Sequence, residues 1–323
     1  MKKFFTKEYW KDVWKILQTT FTGFSNDKGL KLSASLAYYT IFSIGPLFII
    51  IISLVSAVYG REAIEGELYP QIKSFVGPGA AAQIQSIIKS QELSGKTSFA
   101  LVIGIVTLVL GATSVFLEIQ DSLNMIWRVK AKPKKGWLQM LKNRFLSFSL
   151  IISLGFLLLV SLLINAIILA LQNKLTRLFP GMTVIVTDIV NLAITFFVIS
   201  FLFGIIFKFL PDVKIKWKTV RAGAFFTAIL FMLGRYAIGL YIQNTGTAST
   251  YGAAGSIIVI LLWIYYTSAI LYFGAEFTQV YAESTCDSIE PEDYAVHIDQ
   301  VEREKDVDTL TPKHPDIAKS NDN

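Results

Sequence analysis

Long uncharged apolar runs, separated by short basic or small-residue stretches, set the pattern of this chain. The first runs from Leu32 to Gly60, between Lys31 and Arg61, and the second from Thr97 to Leu117, between Lys96 and Glu118. A third extends from Phe145 to Asn173, and a fourth begins near Val184, tolerates Asp188 close to its start and continues to Phe207. A helix needs about 20 apolar residues to cross the roughly 30 Å hydrocarbon core, so each run predicts one crossing. From Ala222 to Ala275 a single charge, Arg235, interrupts the apolar pattern. That stretch is too long for one helix, and QNTGTASTYG (Gln243 to Gly252) has the glycine and small hydroxyl content of a turn joining two. Six spans result, near residues 32–60, 97–127, 145–173, 184–207, 220–243 and 252–282. Only helices and closed barrels satisfy their backbone polar groups in lipid, and runs this long exclude barrel strands. The predicted fold is all-α: a polytopic six-transmembrane-helix bundle.

The flanks read differently. Residues 1–31 contain Trp10, Val13, Trp14, Leu17, Phe21 and Phe24 at helical spacing, with Lys7, Lys11 and Lys15 four residues apart along the flank. This predicts an N-terminal amphipathic helix that lies in the membrane interface or packs on the bundle. From Glu276 to Asn323 there are 13 acidic and four basic residues, with no aromatic after Tyr294. Residues 284–323 are therefore expected to form an acidic disordered tail holding both histidines, His297 and His314. Between Arg61 and Lys96, Pro70, Pro78 and a partly amphipathic pattern predict short helices on the outer surface.

An apolar share of 53% and a mean hydropathy of +0.52 agree with a membrane protein. The net charge of +6 does not indicate nucleic acid, because the basic residues sit in short connections between apolar runs. Seven lysines and arginines precede the first span, seven lie from Arg128 to Arg144 and five from Lys208 to Arg221; the alternate connections hold four, two and none. The positive-inside rule places the richer side, with both termini, in the cytoplasm. The single cysteine, Cys286, forms no intramolecular disulfide or zinc cluster, and no cofactor is expected.

Ionisable groups inside a membrane are costly, so each is a candidate for function. Asp188 and Arg235 reach similar depths and are candidates for an intramembrane ion pair, as a structural clamp or a substrate site. At the inner ends, Glu118, Asp121 and Asn124 share one helix face and Glu276 reaches the same level on the sixth span. Ion pairs with Arg144, Lys208 and Arg221 are the ordinary expectation there; a gate or proton site is the sharper one. The segment with Thr247, Thr250, Tyr251 and Ser256 offers hydroxyls for a solute or ion path, or small residues for close helix packing, and Tyr39 joins the candidate path. Gly45 and Pro46 form a candidate hinge in the first span.

Four stretches, SASLAYYTIFSIGPLFII (Ser33 to Ile50), FLEIQDSLNMIW (Phe116 to Trp127), LPDVKIKWKTVRAGA (Leu210 to Ala224) and STYGAAGSIIVILLWIYYTSAILYFGAEFTQVYA (Ser249 to Ala282), resemble the YihY/BrkB family of bacterial inner-membrane proteins. The resemblance covers nearly all of the chain to about Ala282 and leaves the acidic tail outside. It implies a bacterial inner-membrane location and links to virulence. It also brings the older label of ribonuclease BN, which the residues argue against: both histidines lie in the tail and the acidic residues of the bundle are scattered.

The leading functional reading is a non-enzymatic transporter or permease-like protein for a small or amphipathic solute, with membrane lipids and a solute or coupling ion as partners. No GxxxxGK[ST] motif is present to energise it with ATP. The alternative is a non-transporting envelope protein that organises lipids or partners. Oligomeric state stays open.

Overall fold

The computed structural model describes residues 7–43, 97–132, 183–245 and 253–299. The fold is mostly helical. Helix α1 spans Lys7–Asn26, α2 occupies residues 29–43, α3 spans Thr97–Ile126, α4 Thr183–Phe209, α5 Trp217–Thr245 and α6 Ala253–Ser284. Among the described residues four very short strands, β1 (Val129–Ala131), β2 (Val213–Lys214), β3 (Glu290–Pro291) and β4 (Ala295–His297), gather at one end of the bundle, here called the strand end.

Among the described residues three helical segments are long and apolar enough to cross a membrane: Leu192–Phe209, Trp217–Ile238 and Ile260–Ser284. Only 28%, 28% and 39% of these segments is buried within the protein, so much of their apolar surface is left for lipid to solvate in a membrane. Phe197, Phe201, Ile229 and Leu233 are among the exposed side chains. The third and first predicted spans, beyond residue 43, lie outside the described residues, as do Gly45 and Pro46.

Helices α5 and α6 run against each other on a seam of small residues. A Cβ on Gly223 would stand 1.8 Å from Thr278 Oγ1, one on Gly274 would stand 1.9 Å from Thr227 Oγ1, and one on Gly234 would overlap the Tyr266 ring. The pairing is reciprocal, since each helix supplies a glycine notch and the threonine that fills the other's notch. Both threonines return their hydroxyls to their own helix, Thr227 Oγ1 donating to Gly223 O and Thr278 Oγ1 to Gly274 O, each at 2.7 Å, so no polar atom is stranded at the contact. Helix α4 packs on the other side of α5, with the Phe196 and Phe225 rings stacked at 5.7 Å. Helix α1 packs on α6, where Phe24 meets Phe273 edge to face at 5.5 Å.

The buried apolar core sits at the strand end, where Leu123, Ile126, Trp127, Phe207, Val220 and Tyr272 meet. Trp127 closes it by donating from Nε1 to the Ala275 carbonyl at 3.1 Å. Three helices end here in left-handed residues that are not glycine: Lys28 after α1, Arg128 after α3 and Cys286 after α6. After α6 the geometry is a Schellman cap, with Asp287 N–H on Ala282 O at 2.9 Å and Cys286 N–H on Glu283 O at 3.2 Å.

That cap turns the chain back, and one expectation needs correcting. The residues after Ser284 do not begin a disordered tail: residues 285–299 form a strap folded across the strand end. β4 pairs antiparallel with β1 (Val129 opposite His297) and β3 with β2 (Val213 opposite Pro291). The acidic composition that suggests disorder is what docks the strap, because the loops beneath it are basic. Lys214 binds Asp293, and Lys216 Nζ binds Asp287 Oδ1 at 2.8 Å. Asp287 also accepts from Thr219 Oγ1 at 3.0 Å, which seats a carboxylate over the first turn of α5, where the helix dipole favours it. Residues 300–323 lie outside the described residues.

Candidate functional site

Among the described residues two buried acids, Asp212 and Glu276, occupy the strand end, and they differ in what surrounds them. Asp212, in the short connection between α4 and α5, is 2% exposed. Its Oδ1 accepts from Gln120 Nε2 (3.1 Å) and Tyr294 OH (2.9 Å), its Oδ2 accepts from Asn124 Nδ2 (2.8 Å), and its own N–H donates to Asn124 Oδ1 (2.9 Å). Gln120 and Asn124 stand one turn apart on α3, so a helical spacing aims both amides at one acid. Burial and the Asp212 charge both hold the Tyr294 phenol protonated, well above its usual range, which keeps it a donor. This network ties α3, the α4–α5 connection and the strap together, with every acceptor on the acid engaged.

Glu276, on α6, is 6% exposed and its Oε2 has no hydrogen-bond partner. Room for the carboxylate comes from Gly23 on α1, where a Cβ would stand 1.9 Å from Oε1. One turn on, Gln279 Oε1 is likewise buried without a partner. Both residues line a cavity of about 600 Å³ between α1, α6, the end of α3 and the strap; Thr22, Asp27, Ile126, Arg128, Val280, Glu283, His297 and Asp299 also line it. Asp27 pairs with Arg128 at 3.5 Å, and burial raises the Asp27 carboxyl above the ordinary range while the guanidinium partly offsets this. His297 Nε2 lies 3.3 Å from Asp299.

The sequence-predicted candidates separate accordingly. Asn124 is buried on Asp212, Glu276 lines the cavity, Asp121 and Tyr39 are exposed, and Glu118 is half-buried on α3 away from that cavity. The ion pairs among the described residues are Asp27–Arg128, Lys214–Asp293, Lys216–Asp287 and His297–Asp299, so Glu118, Asp121 and Glu276 make none there. Lys208 instead donates to the Ile215 carbonyl at 2.5 Å. Arg235 is exposed on α5. Thr247, Thr250 and Tyr251, the side chains of Asp188 and Ser256, and with them the Asp188–Arg235 pair, lie outside the described residues.

Comparison with known proteins places this architecture. Residues 20–296 match the family described as Virulence factor BrkB. The chain belongs to the BrkB family. The match extends past Ala282 through the strap almost to the end of β4, so the strap is part of the family's domain rather than an appendage. Among its relatives are membrane proteins of the group named UPF0761. One from Methylibium petroleiphilum is 27% identical across 82% of this chain and 61% of its own length. A second, from Verminephrobacter eiseniae, is 27% identical across 83% of this chain and 62% of its own length. A third, from Pseudoalteromonas atlantica, is 26% identical across 85% of this chain and 91% of its own. The chain thus spans about three fifths of the length of the first two. No solved structure matches it.

Sequence reasoning on this BrkB-family protein missed Asp212, Tyr294 and Gly23. The available signals were slight: an acid beside Pro211 in a basic connection, the last aromatic of the tail, and a glycine near the end of α1, off its apolar face.

Proposed function

We propose that this protein is a permease-like transporter of the bacterial inner membrane, with six spans and both termini in the cytoplasm, that moves a small or amphipathic solute through a path ending in the strand-end cavity. The observation that carries the reading is Glu276. A carboxyl group with an unpartnered buried oxygen, on a mostly apolar helix and at the wall of a large polar cavity, costs stability, which favours a role beyond the fold. The positive-inside count makes the strand end, rich in lysine and arginine, the cytoplasmic one.

Labelling tests this directly. Cys286 is replaced by serine, single cysteines are introduced at Thr247, Thr250, Ser256 and Tyr39, and membrane-impermeant thiol reagents are applied from each side. A gated aqueous path predicts labelling at these positions that changes when Glu276→Gln is added. Uniform silence in both backgrounds removes the transport reading.

A second reading, an envelope protein that organises lipid, is favoured by α1. Trp10, Trp14 and Phe21 are exposed on it, together with Lys11 and Lys15. Indole rings and lysine heads side by side suit an interface of anionic lipid.

A further inference from the structure

We infer that the strand-end cavity binds a small organic cation through its N–H groups, an ammonium-bearing molecule held by Glu276 and Gln279. The inference rests on the transport reading for its biological use and stands on the cavity's own chemistry for the binding.

Charge comes first. Among the described residues four carboxylates line the cavity, those of Asp27, Glu276, Glu283 and Asp299, against one guanidinium and one imidazole. Arg128 is committed to Asp27, and His297 sits against Asp299. Among the described residues neither Glu276 nor Glu283 has an ion-pair partner, which favours a cation in this partly enclosed space. Hydrogen bonding narrows the class. Among the described residues the buried side-chain atoms on this wall without partners are Glu276 Oε2 and Gln279 Oε1, carbonyl or carboxyl oxygens one helical turn apart on α6. A ligand that satisfies both must donate twice in nearly the same direction, which an R–NH3+ group does and a quaternary ammonium cannot. Among the described residues no three histidine, cysteine or acidic side chains stand together as ligands for a metal ion, and a volume of about 600 Å³ is far larger than a bare cation fills. Ile126 and Val280 supply apolar wall for the hydrocarbon part of such a ligand. Finally, Gly23 is shaped to this purpose: any side chain there would push the Glu276 carboxylate out of place.

The test is calorimetric titration of the full-length protein in detergent with 1,4-diaminobutane, tetramethylammonium and 1,4-butanediol. The expected result is saturable binding of the diamine, at least tenfold weaker binding of tetramethylammonium, and none of the diol. Glu276→Gln should weaken the diamine at least tenfold. If that variant does not fold, Gln279→Leu, at a partly exposed position, should weaken it at least threefold. No diamine binding, equal binding by tetramethylammonium, or unchanged affinity in the variants overturns the inference. Diamine binding with every cysteine of the labelling experiment silent upholds the site and removes transport. Labelling without diamine binding removes the site and leaves the transporter.

Discussion

Replacing Asp212 by alanine should be among the most damaging single changes at the strand end. The carboxylate accepts three hydrogen bonds from neutral donors, at 2.8, 2.9 and 3.1 Å, while 2% exposed. Bonds to a charged acceptor contribute about 1.5–3 kcal/mol each, and they do not add, because the partners differ in access to water. Gln120 and Tyr294 are half-buried and recover some hydration, whereas Asn124, at 7% exposed, recovers little. A net loss of about 3–5 kcal/mol follows, in the range for breaking a buried polar network. Asp212→Asn should not rescue it. Asn124 already uses both ends, Nδ2 on the carboxylate and Oδ1 on the Asp212 N–H, so a new amide NH2 meets a donor that cannot flip without abandoning the backbone. That variant should lose about 2–3 kcal/mol and Tyr294→Phe about 1–1.5 kcal/mol. The double change Asp212→Ala with Tyr294→Phe should cost less than the two separately. Thermal unfolding in detergent, followed by tryptophan fluorescence, reads all four. A shift for Asp212→Ala no larger than that for the exposed control Lys130→Ala would refute the reasoning.

Two further outcomes follow from packing and charge. Gly274→Ala forces a methyl into Thr227, and overpacking of this kind costs about 1–3 kcal/mol; adding Thr227→Ala should restore most of it, and a neutral single variant would show that the helices are not in contact as described. Strap docking should be flat through neutral pH and loosen in acid. Lys216 and Thr219 hold Asp287, and Lys214 holds Asp293, below the ordinary carboxylate range, so their contribution is present above that range and lost as pH falls below about 4. Lys214 and Lys216 are raised in turn, so their contribution is lost only as pH climbs past about 10.4. A nitroxide on the exposed Cys286 should gain mobility below about pH 4, and a probe that stays immobile down to about pH 3 would refute this.

The apolar helices were legible because length without charge is nearly sufficient evidence for a span, and Leu192–Phe209, Trp217–Ile238 and Ile260–Ser284 are long apolar helices where the runs indicated them. The α5–α6 register was not legible. Gly223, Thr227, Gly274 and Thr278 are small residues with many possible uses, and only the pairing across the seam gives them one. Asp212 hid for another reason: its partners lie 82 to 92 residues away, so no local window contains the network. The strap was misread because composition was judged one segment at a time. An acidic tail alone reads as solvated chain, but beside the lysines of the α4–α5 connection it has a complementary surface.

The contrast between the two buried acids gives a way to separate scaffolding from function without knowing a ligand. Both are nearly inaccessible, at 2% and 6% exposed, and the change of each to its amide is isosteric. At Asp212 the protein has built a donor for each acceptor, so the amide breaks satisfied bonds and stability falls. Around Glu276 it has built space: Gly23 on one side, an open cavity on another, and an oxygen with no partner. Replacing a buried carboxyl whose oxygen has no partner breaks no bond to that oxygen, so Glu276→Gln should change stability by less than about 1 kcal/mol in the same unfolding assay. A buried acid whose loss leaves the fold unharmed is held for something other than the fold. If Glu276→Gln instead falls as far as Asp212→Asn, the carboxylate has a structural partner, and the case for it as a ligand group fails with it.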